Sequence, residues 1–298
     1  MFHKASKEQS KLRMALIGPS GSGKTMSALA IASHLGNSIA VIDTEHGSAS
    51  KYADIYQFDA CELQSFHPQQ YINAIQAAEN AGYDVLIIDS LSHAWMGKDG
   101  ALELVDRAAK RSPSSNSFAA WRDVTPLHNK LVEAMLSANC HLIVTMRAKT
   151  EYVMEVNEKG KTVPRKVGLA PVQRDGLEYE FDICGDMDLD NNLIISKSRC
   201  PALSTAVIPK PGEDLALTLK QWLTDGIQAK PKINREAIIA QTSRELSRLG
   251  WSDIDGKKHL EATYGKTSRS LLSNEELVDF LEYLREARLE NNESTLIT

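Results

Sequence analysis

The sequence predicts an α/β protein with a mainly parallel sheet, followed by a small helical domain. Three observations carry that expectation. Short apolar runs recur at residues 14–17, 39–42, 85–88 and 141–144, separated by helix-like stretches. Strands covered on both faces read as such continuous runs, and parallel strands need helical crossovers between them. Beyond residue 226 the strand-like runs stop and helical periodicity takes over. The 298 residues are 42% hydrophobic and 24% charged, an ordinary globular mix that supports a sizeable core and excludes wholesale disorder.

Taken in order, residues 14–17 (Met-Ala-Leu-Ile) form a buried strand that runs into a Gly-rich turn. Residues 24–35 follow as a helix with Ala28, Leu29, Ile31, Ala32 and Leu35 on its apolar side. The second strand is 39–42. A helix over 68–81 carries Pro68 in its first turn, where a missing N–H costs nothing. Strands 85–88 and 141–144 complete the parallel set. After Arg147 the texture changes: 151–156 and 162–169 alternate around Asn157-Glu158-Lys159-Gly160, a hairpin pattern. Short strands over 178–186 and 192–198 follow, joined through Asp188-Leu189-Asp190-Asn191, and a helix over 213–225 closes a core of residues 1–226. Lys230-Pro231-Lys232 marks a linker over 227–234. In the remaining piece, 235–298, Ser273-Asn274-Glu275-Glu276 is a capping box, and Leu277, Phe280, Leu281 and Leu284 share one helix face.

The chemistry concentrates in Gly18-Pro19-Ser20-Gly21-Ser22-Gly23-Lys24-Thr25, which matches G-x-x-x-x-G-K-[ST] between a strand and a helix. Glycines let backbone N–H groups curl around phosphate oxygens, and the helix N-terminus adds its positive end. Lys24 then reaches the outer phosphates of ATP and Thr25 ligates Mg²⁺. Asp89 ends the apolar run 85–88, where a Mg²⁺-holding acid belongs. Glu45, just past the strand ending at Ile42, is placed to orient and deprotonate an attacking water, with Asp43 competing for that role.

These stretches, with Ile195-Ser196-Lys197-Ser198-Arg199, resemble the RecA-like branch of P-loop ATPases. The likeness spans about residues 10 to 226. It implies a RecA-like core, Glu45 as the catalytic acid and Lys197 and Arg199 as cations reaching a neighbouring subunit's ATP site, hence a homo-oligomer with the site at the subunit interface. Residues 118–126 and 174–182 resemble more closely the phage Sak-type ATPases that assist single-strand annealing. That implies DNA recombination, a partner such as a single-strand-binding or annealing protein, and a bacterial host's cytoplasm. One departure stands out. Where RecA-like recombinases often carry a Gln, this strand ends Thr145-Met146-Arg147, so Thr145 or Arg147 has to sense the terminal phosphate.

With 34 Lys and Arg against 39 Asp and Glu, the net charge is −5, so any nucleic-acid surface must be local. Residues 107–122 hold Arg107, Lys110, Arg111 and Arg122 with no acid. Residues 147–175 hold seven cations, including Lys149, Lys161, Arg165 and Lys166, against four acids. Both follow core strands, and with Trp121 or Tyr152 as a stacking face each is a candidate loop for single-stranded DNA. Residues 235–298 carry nine Lys and Arg against twelve Asp and Glu, which disfavours general DNA binding there. A protein-interaction or DNA-end module and a stabilising appendage both fit that piece. Four separated cysteines suggest neither zinc nor disulfides, and no run approaches a membrane span. Residues 1–11 are polar and charged, which leads one to expect a cytoplasmic location. The alternatives are an ATP-switched loader or adaptor with weak hydrolysis, and a P-loop kinase. No Arg-rich lid or acceptor pocket stands out for the kinase.

Overall fold

The structure, a computed structural model, describes residues 4–111, 117–156, 162–228 and 235–287. Residues 112–116, the hairpin tip with Lys159 and Lys161, and most of the expected linker lie outside the described residues, as do the side chains of 150–169.

Contacts divide the chain into two compact units, Met1–Ala229 and Lys230–Thr298. The first opens with β1 (Arg13–Gly18), α1 (Lys24–Leu35) and β2 (Ile39–Asp43). It continues with β3 (Asp59–Glu62), α2 (Pro68–Ala81), β4 (Val85–Asp89), α3 (Ser92–Met96), α4 (Ala101–Arg111) and α5 (Ser117–Ser137). β5 (His141–Val156), β6 (Thr162–Pro171), β7 (Ile183–Met187), β8 (Asn192–Ser198), β9 (Val207–Pro209) and α6 (Glu213–Thr224) complete it.

Among the described residues the strands form one nine-stranded sheet in the order β3-β2-β4-β5-β1-β7-β8-β9, with β6 paired to β5. The pairs joining β3, β2, β4, β5, β1 and β7 are all parallel, while β8, β9 and β6 pair antiparallel. This is the mixed α/β core with a mostly parallel sheet that a P-loop NTPase requires.

Successive residues of the buried strands feed opposite faces, as the two-residue period demands. Met14 and Leu16 of β1 and Val85 and Ile87 of β4 pack with Leu29 and Ile31 of α1 and Leu215 and Leu219 of α6. Ala15 and Ile17, with Leu86 and Ile88, pack with Tyr71 and Ile75 of α2 and Leu131 and Met135 of α5. Each such large side chain contributes roughly 1.5–3 kcal/mol of burial. Because the central strands run parallel, their carboxyl ends meet on one edge. Gly18 lies opposite Arg147, and Asp43 opposite Asp89.

Several elements differ from the sequence expectation. The strand expected over 178–186 is instead a 3-10 turn, Leu177–Glu180, followed by β7. Gly176, at φ 86°, turns the chain left-handed ahead of it, and Lys197 Nζ collects the carbonyls of Glu178, Tyr179 and Phe181. The strand expected over 141–144 runs unbroken to Val156, because β6 supplies a partner beyond the parallel sheet. The basic stretch 107–122 belongs to helices α4 and α5 wherever it is described, not to a loop. Its Arg107 is paired with Asp99 (2.7 Å) and Glu103 (2.5 Å), and the Trp121 ring stacks on Trp95.

The second unit holds α7 (Arg235–Leu249), α8 (Asp253–Tyr264) and α9 (Asn274–Glu286). Leu249, Leu260, Leu272, Leu277, Phe280 and Leu284 form its core. Ser252 with Asp255, and Ser273 with Glu276, close capping boxes on α8 and α9.

Candidate functional site

The residues between β1 and α1 wrap a cavity of about 540 Å³, within the usual range for a small-molecule site. Its wall includes Gly18, Pro19, Ser20, Gly21, Gly23, Lys24 and Thr25, joined by Glu45, Asp89 and Arg147. Gly23 must be glycine: its φ is 80°, and an added Cβ would lie 2.8 Å from Asn191 Nδ2. Gly18 is equally constrained, since a Cβ there would meet the Met187 carbonyl at 2.7 Å. Both features press the loop backbone against the end of β7 and the β7–β8 turn. The Ser22 side chain supports the loop from behind. It is fully buried, and its hydroxyl closes the loop onto the Pro19 carbonyl at 2.9 Å.

Lys24 Nζ donates to the carbonyls of Gly18 (2.9 Å) and Pro19 (2.7 Å), which holds the ammonium across the mouth of the loop. Burial lowers its pKa, with Asp89 and Glu45 opposing. Thr25 Oγ1 donates to Asp89 Oδ2 at 2.6 Å, and Thr145 Oγ1 donates to Asp89 Oδ1. Burial raises the Asp89 pKa despite these two bonds. Thr145 is therefore the residue that orients Asp89. A threonine hydroxyl beside a buried carboxylate is a hard-oxygen pair of the kind Mg²⁺ prefers, so the residues fit that ion.

Glu45 sits on the far wall. Arg147 grips it in bidentate fashion, Nε to Oε1 at 3.0 Å and Nη2 to Oε2 at 2.7 Å. Ser90 Oγ adds a 3.3 Å bond, and His93 Nδ1 lies 4.0 Å away. Burial alone would raise the Glu45 pKa, but the Arg147 hydrogen bonds and charge outweigh it and hold the carboxyl below its usual range. Burial and the Arg147 cation lower the His93 pKa. Asp43 is no rival for the catalytic place. It is buried, and its carboxylate accepts from the backbone N–H groups of Glu45 (2.6 Å) and Ala49 (3.1 Å), so it shapes the turn that presents Glu45.

Sequence reasoning passed over Thr44, Ser90 and His93. Thr44 Oγ1 accepts from the Ser90 backbone N–H (2.8 Å) and lies 2.7 Å from His93 Nδ1, and His93 stacks on Phe66. This bridge fixes the β2 exit to the β4 exit. Position just past two neighbouring strand ends was the available signal. Ser48 and Tyr52 also line the cavity.

Lys197 and Arg199 are not brought to this chain's cavity. On β8 Lys197 lies opposite Cys184, near the start of β7 and away from the carboxyl edge. Its ammonium holds the 3-10 turn, and Arg199 pairs with Asp182 at 3.0 Å.

Comparison with known proteins agrees with this geometry. Residues 10–226, well over half of the chain, match the AAA domain family. The chain belongs to that family. The matched residues include the phosphate loop, Glu45, Asp89 and the sheet that positions them, an AAA-type P-loop domain. A stretch of 89 residues is 40% identical to an uncharacterised protein of Synechocystis sp. (strain ATCC 27184 / PCC 6803 / Kazusa), covering 29% of this chain and 29% of that protein. Among the described residues no helix of the AAA domain or of the second unit is long and apolar enough to cross a membrane.

Proposed function

We propose that this chain is an oligomeric ATPase that acts on single-stranded DNA in recombination or annealing of the phage type. The observation that carries the proposal is the path of β5. That strand leaves the nucleotide cavity at Thr145 and Arg147 and continues without a break into the hairpin it forms with β6. The hairpin sequence carries Lys149, Lys159, Lys161, Arg165 and Lys166. A polyanion held there is one strand away from the reacting phosphate.

The loop amides and Lys24 bind and orient the ATP phosphates. Thr25 and Asp89 would hold Mg²⁺, which neutralises charge on the phosphates when bound. Glu45 orients a water and accepts its proton, while Thr44 and Ser90 keep its turn in register. Lys197 and Arg199 enter this scheme only through a second copy of the chain, as cations supplied in trans. In that role the double variant Lys197→Ala/Arg199→Ala keeps nucleotide binding and loses turnover.

The test is the steady-state ATPase rate with and without single-stranded DNA. The proposal expects strong stimulation, and binding that weakens steeply with salt. Neutralising Lys161, Arg165 and Lys166 together should lower the slope of log affinity against log salt by about 2, at roughly 0.7 per cation. An unchanged rate with DNA and an unchanged slope in the triple variant would overturn it.

A further inference from the structure

Glu45 is placed to take a proton from water, but its surroundings make it a weak base. Arg147 holds both of its carboxylate oxygens, at 2.7 and 3.0 Å, and keeps the carboxyl below its usual range. A stronger base stands directly behind it. Ser90 Oγ lies 3.3 Å from Glu45 Oε1 and 3.5 Å from His93 Nδ1, and Nδ1 itself lies 4.0 Å from Glu45 Oε1. The imidazole is fixed on its other sides. Phe66 stacks on the ring with centroids 4.8 Å apart, and Thr44 Oγ1 lies 2.7 Å from Nδ1. The Thr44 hydroxyl accepts the Ser90 N–H at 2.8 Å and has two acceptors in reach, Nδ1 and the Ser90 carbonyl at 3.1 Å. Turned to the carbonyl, it leaves Nδ1 open to Ser90 Oγ and keeps a lone pair for an Nδ1 hydrogen. Burial, Arg147 and His46 lower the His93 pKa, with Glu45 and Asp43 opposing, so the resting ring is neutral and able to accept a proton. The Tyr71 hydroxyl, 3.5 Å from the Ser90 carbonyl, is held protonated by burial and adds no charge.

Resting on the nucleotide reading above, we propose that His93 is the final acceptor of the proton that Glu45 takes from the attacking water, relayed through the Ser90 hydroxyl. As the water oxygen bonds to the terminal phosphorus, the bond to the leaving ADP oxygen breaks and one water O–H bond breaks with it. That proton passes to Glu45 Oε1. Glu45 hands it to Ser90 Oγ, and the hydrogen already on Ser90 Oγ passes to His93 Nδ1, the neutral ring carrying its own hydrogen on Nε2. Glu45 and Ser90 end as they began. The positive charge rests on the imidazolium, whose Nδ1–H donates to Thr44 Oγ1. The His93 side chain is 13% exposed, and there the imidazolium loses a proton to solvent before the next turnover. An imidazole is ordinarily the stronger base by about two pH units, so the relay replaces a weak base with one matched to neutral pH. His93 touches neither nucleotide nor water and acts only through Glu45.

The experiment is the pH profile of single-turnover phosphate release from bound ATP with Mg²⁺, measured on the full-length chain with nucleotide binding in parallel. The relay needs a neutral His93, so release should slow as pH falls through the imidazole range, below about 6.5 and above the carboxylate range near about 4.3. His93→Asn keeps a polar atom where Nδ1 stands but cannot take up a proton. It should bind nucleotide as before and release phosphate about tenfold more slowly near neutral pH, a part of what a positioned base supplies. Its remaining acid limb should move down into the carboxylate range. A residue that only held the turn would lower the rate at every pH and leave the limb in place. Should His93→Asn fail to fold, Ser90→Ala breaks the relay at its middle and should give the same loss and the same shift. An acid limb that stays in the imidazole range, or unchanged release near neutral pH, would overturn the proposal while Glu45→Gln remains slow. Release at the unaltered rate from Glu45→Gln would overturn the reading of Glu45 itself, and this proposal with it.

Discussion

Single residues carry the nucleotide chemistry, and their environments differ enough to be separated. Lys24 lies on the cavity wall across the Gly18 and Pro19 carbonyls, so on the proposed reading Lys24→Ala should weaken binding of both ATP and ADP at least about tenfold in a direct binding assay. Residue-scale reasoning also gives a pH dependence. His141 Nδ1 accepts the Leu12 backbone N–H at 3.1 Å, so this imidazole must stay neutral. Burial, aided by Lys11 and Arg13, pushes its pKa down to about 4. Between pH 6.5 and about 4 the unfolded chain takes up a proton there and the folded chain does not. Stability from this group is complete above pH 6.5 and fades as pH falls through that window, by on the order of 3 kcal/mol in all. Denaturant melts at pH 7 and pH 4.5 should show the loss. His141→Asn, which keeps an acceptor but cannot charge, should lose less over the same interval. Identical losses would contradict the assignment.

Elements are held by fewer groups than their length suggests. Arg13, at the start of β1, is nearly buried and gathers the end of α5. Its guanidinium donates to the carbonyls of Leu12 and Cys140 (both 2.8 Å), Leu136 (3.1 Å) and Ala138. The Leu136, Ala138 and Cys140 carbonyls lie at or just past the C-terminus of α5, where a cation offsets the dipole. Arg13→Leu strands them without a donor and should cost about 3 kcal/mol in a thermal or denaturant melt. Ser273→Ala, which opens the capping box of α9, should cost about 1 kcal/mol.

The same scale shows what was legible in the sequence. β1, β2 and β4 were readable because strands buried on both faces spell unbroken apolar runs, and α1 and α2 because their caps and apolar faces are local. β3 was not, since all four of its residues are exposed on an edge strand, and α5 hides a Pro at position 126 within a helix. The phosphate loop was legible from spacing alone. The Glu45–Arg147 pair was not, because 102 positions separate partners that only the parallel register of β2, β4 and β5 brings together. The Asp99 and Trp95 partners of Arg107 and Trp121 were not legible for the same reason, as tertiary packing sets them.

At the scale of the whole molecule, the chain is two units with separate cores, and the site lies within the first. A chain ending at Ala229 should therefore melt cooperatively and bind nucleotide within about twofold of the full-length protein. Loss of nucleotide binding in that truncation would show that the second unit completes the cavity. The account as a whole turns on Glu45 being the group that activates water. Single-turnover phosphate release from bound ATP, compared between the unaltered chain and Glu45→Gln with nucleotide binding measured in parallel, tests this most directly. The account predicts that Glu45→Gln binds ATP at least as well and releases phosphate about a hundredfold more slowly. Release at an unchanged rate from Glu45→Gln would contradict it.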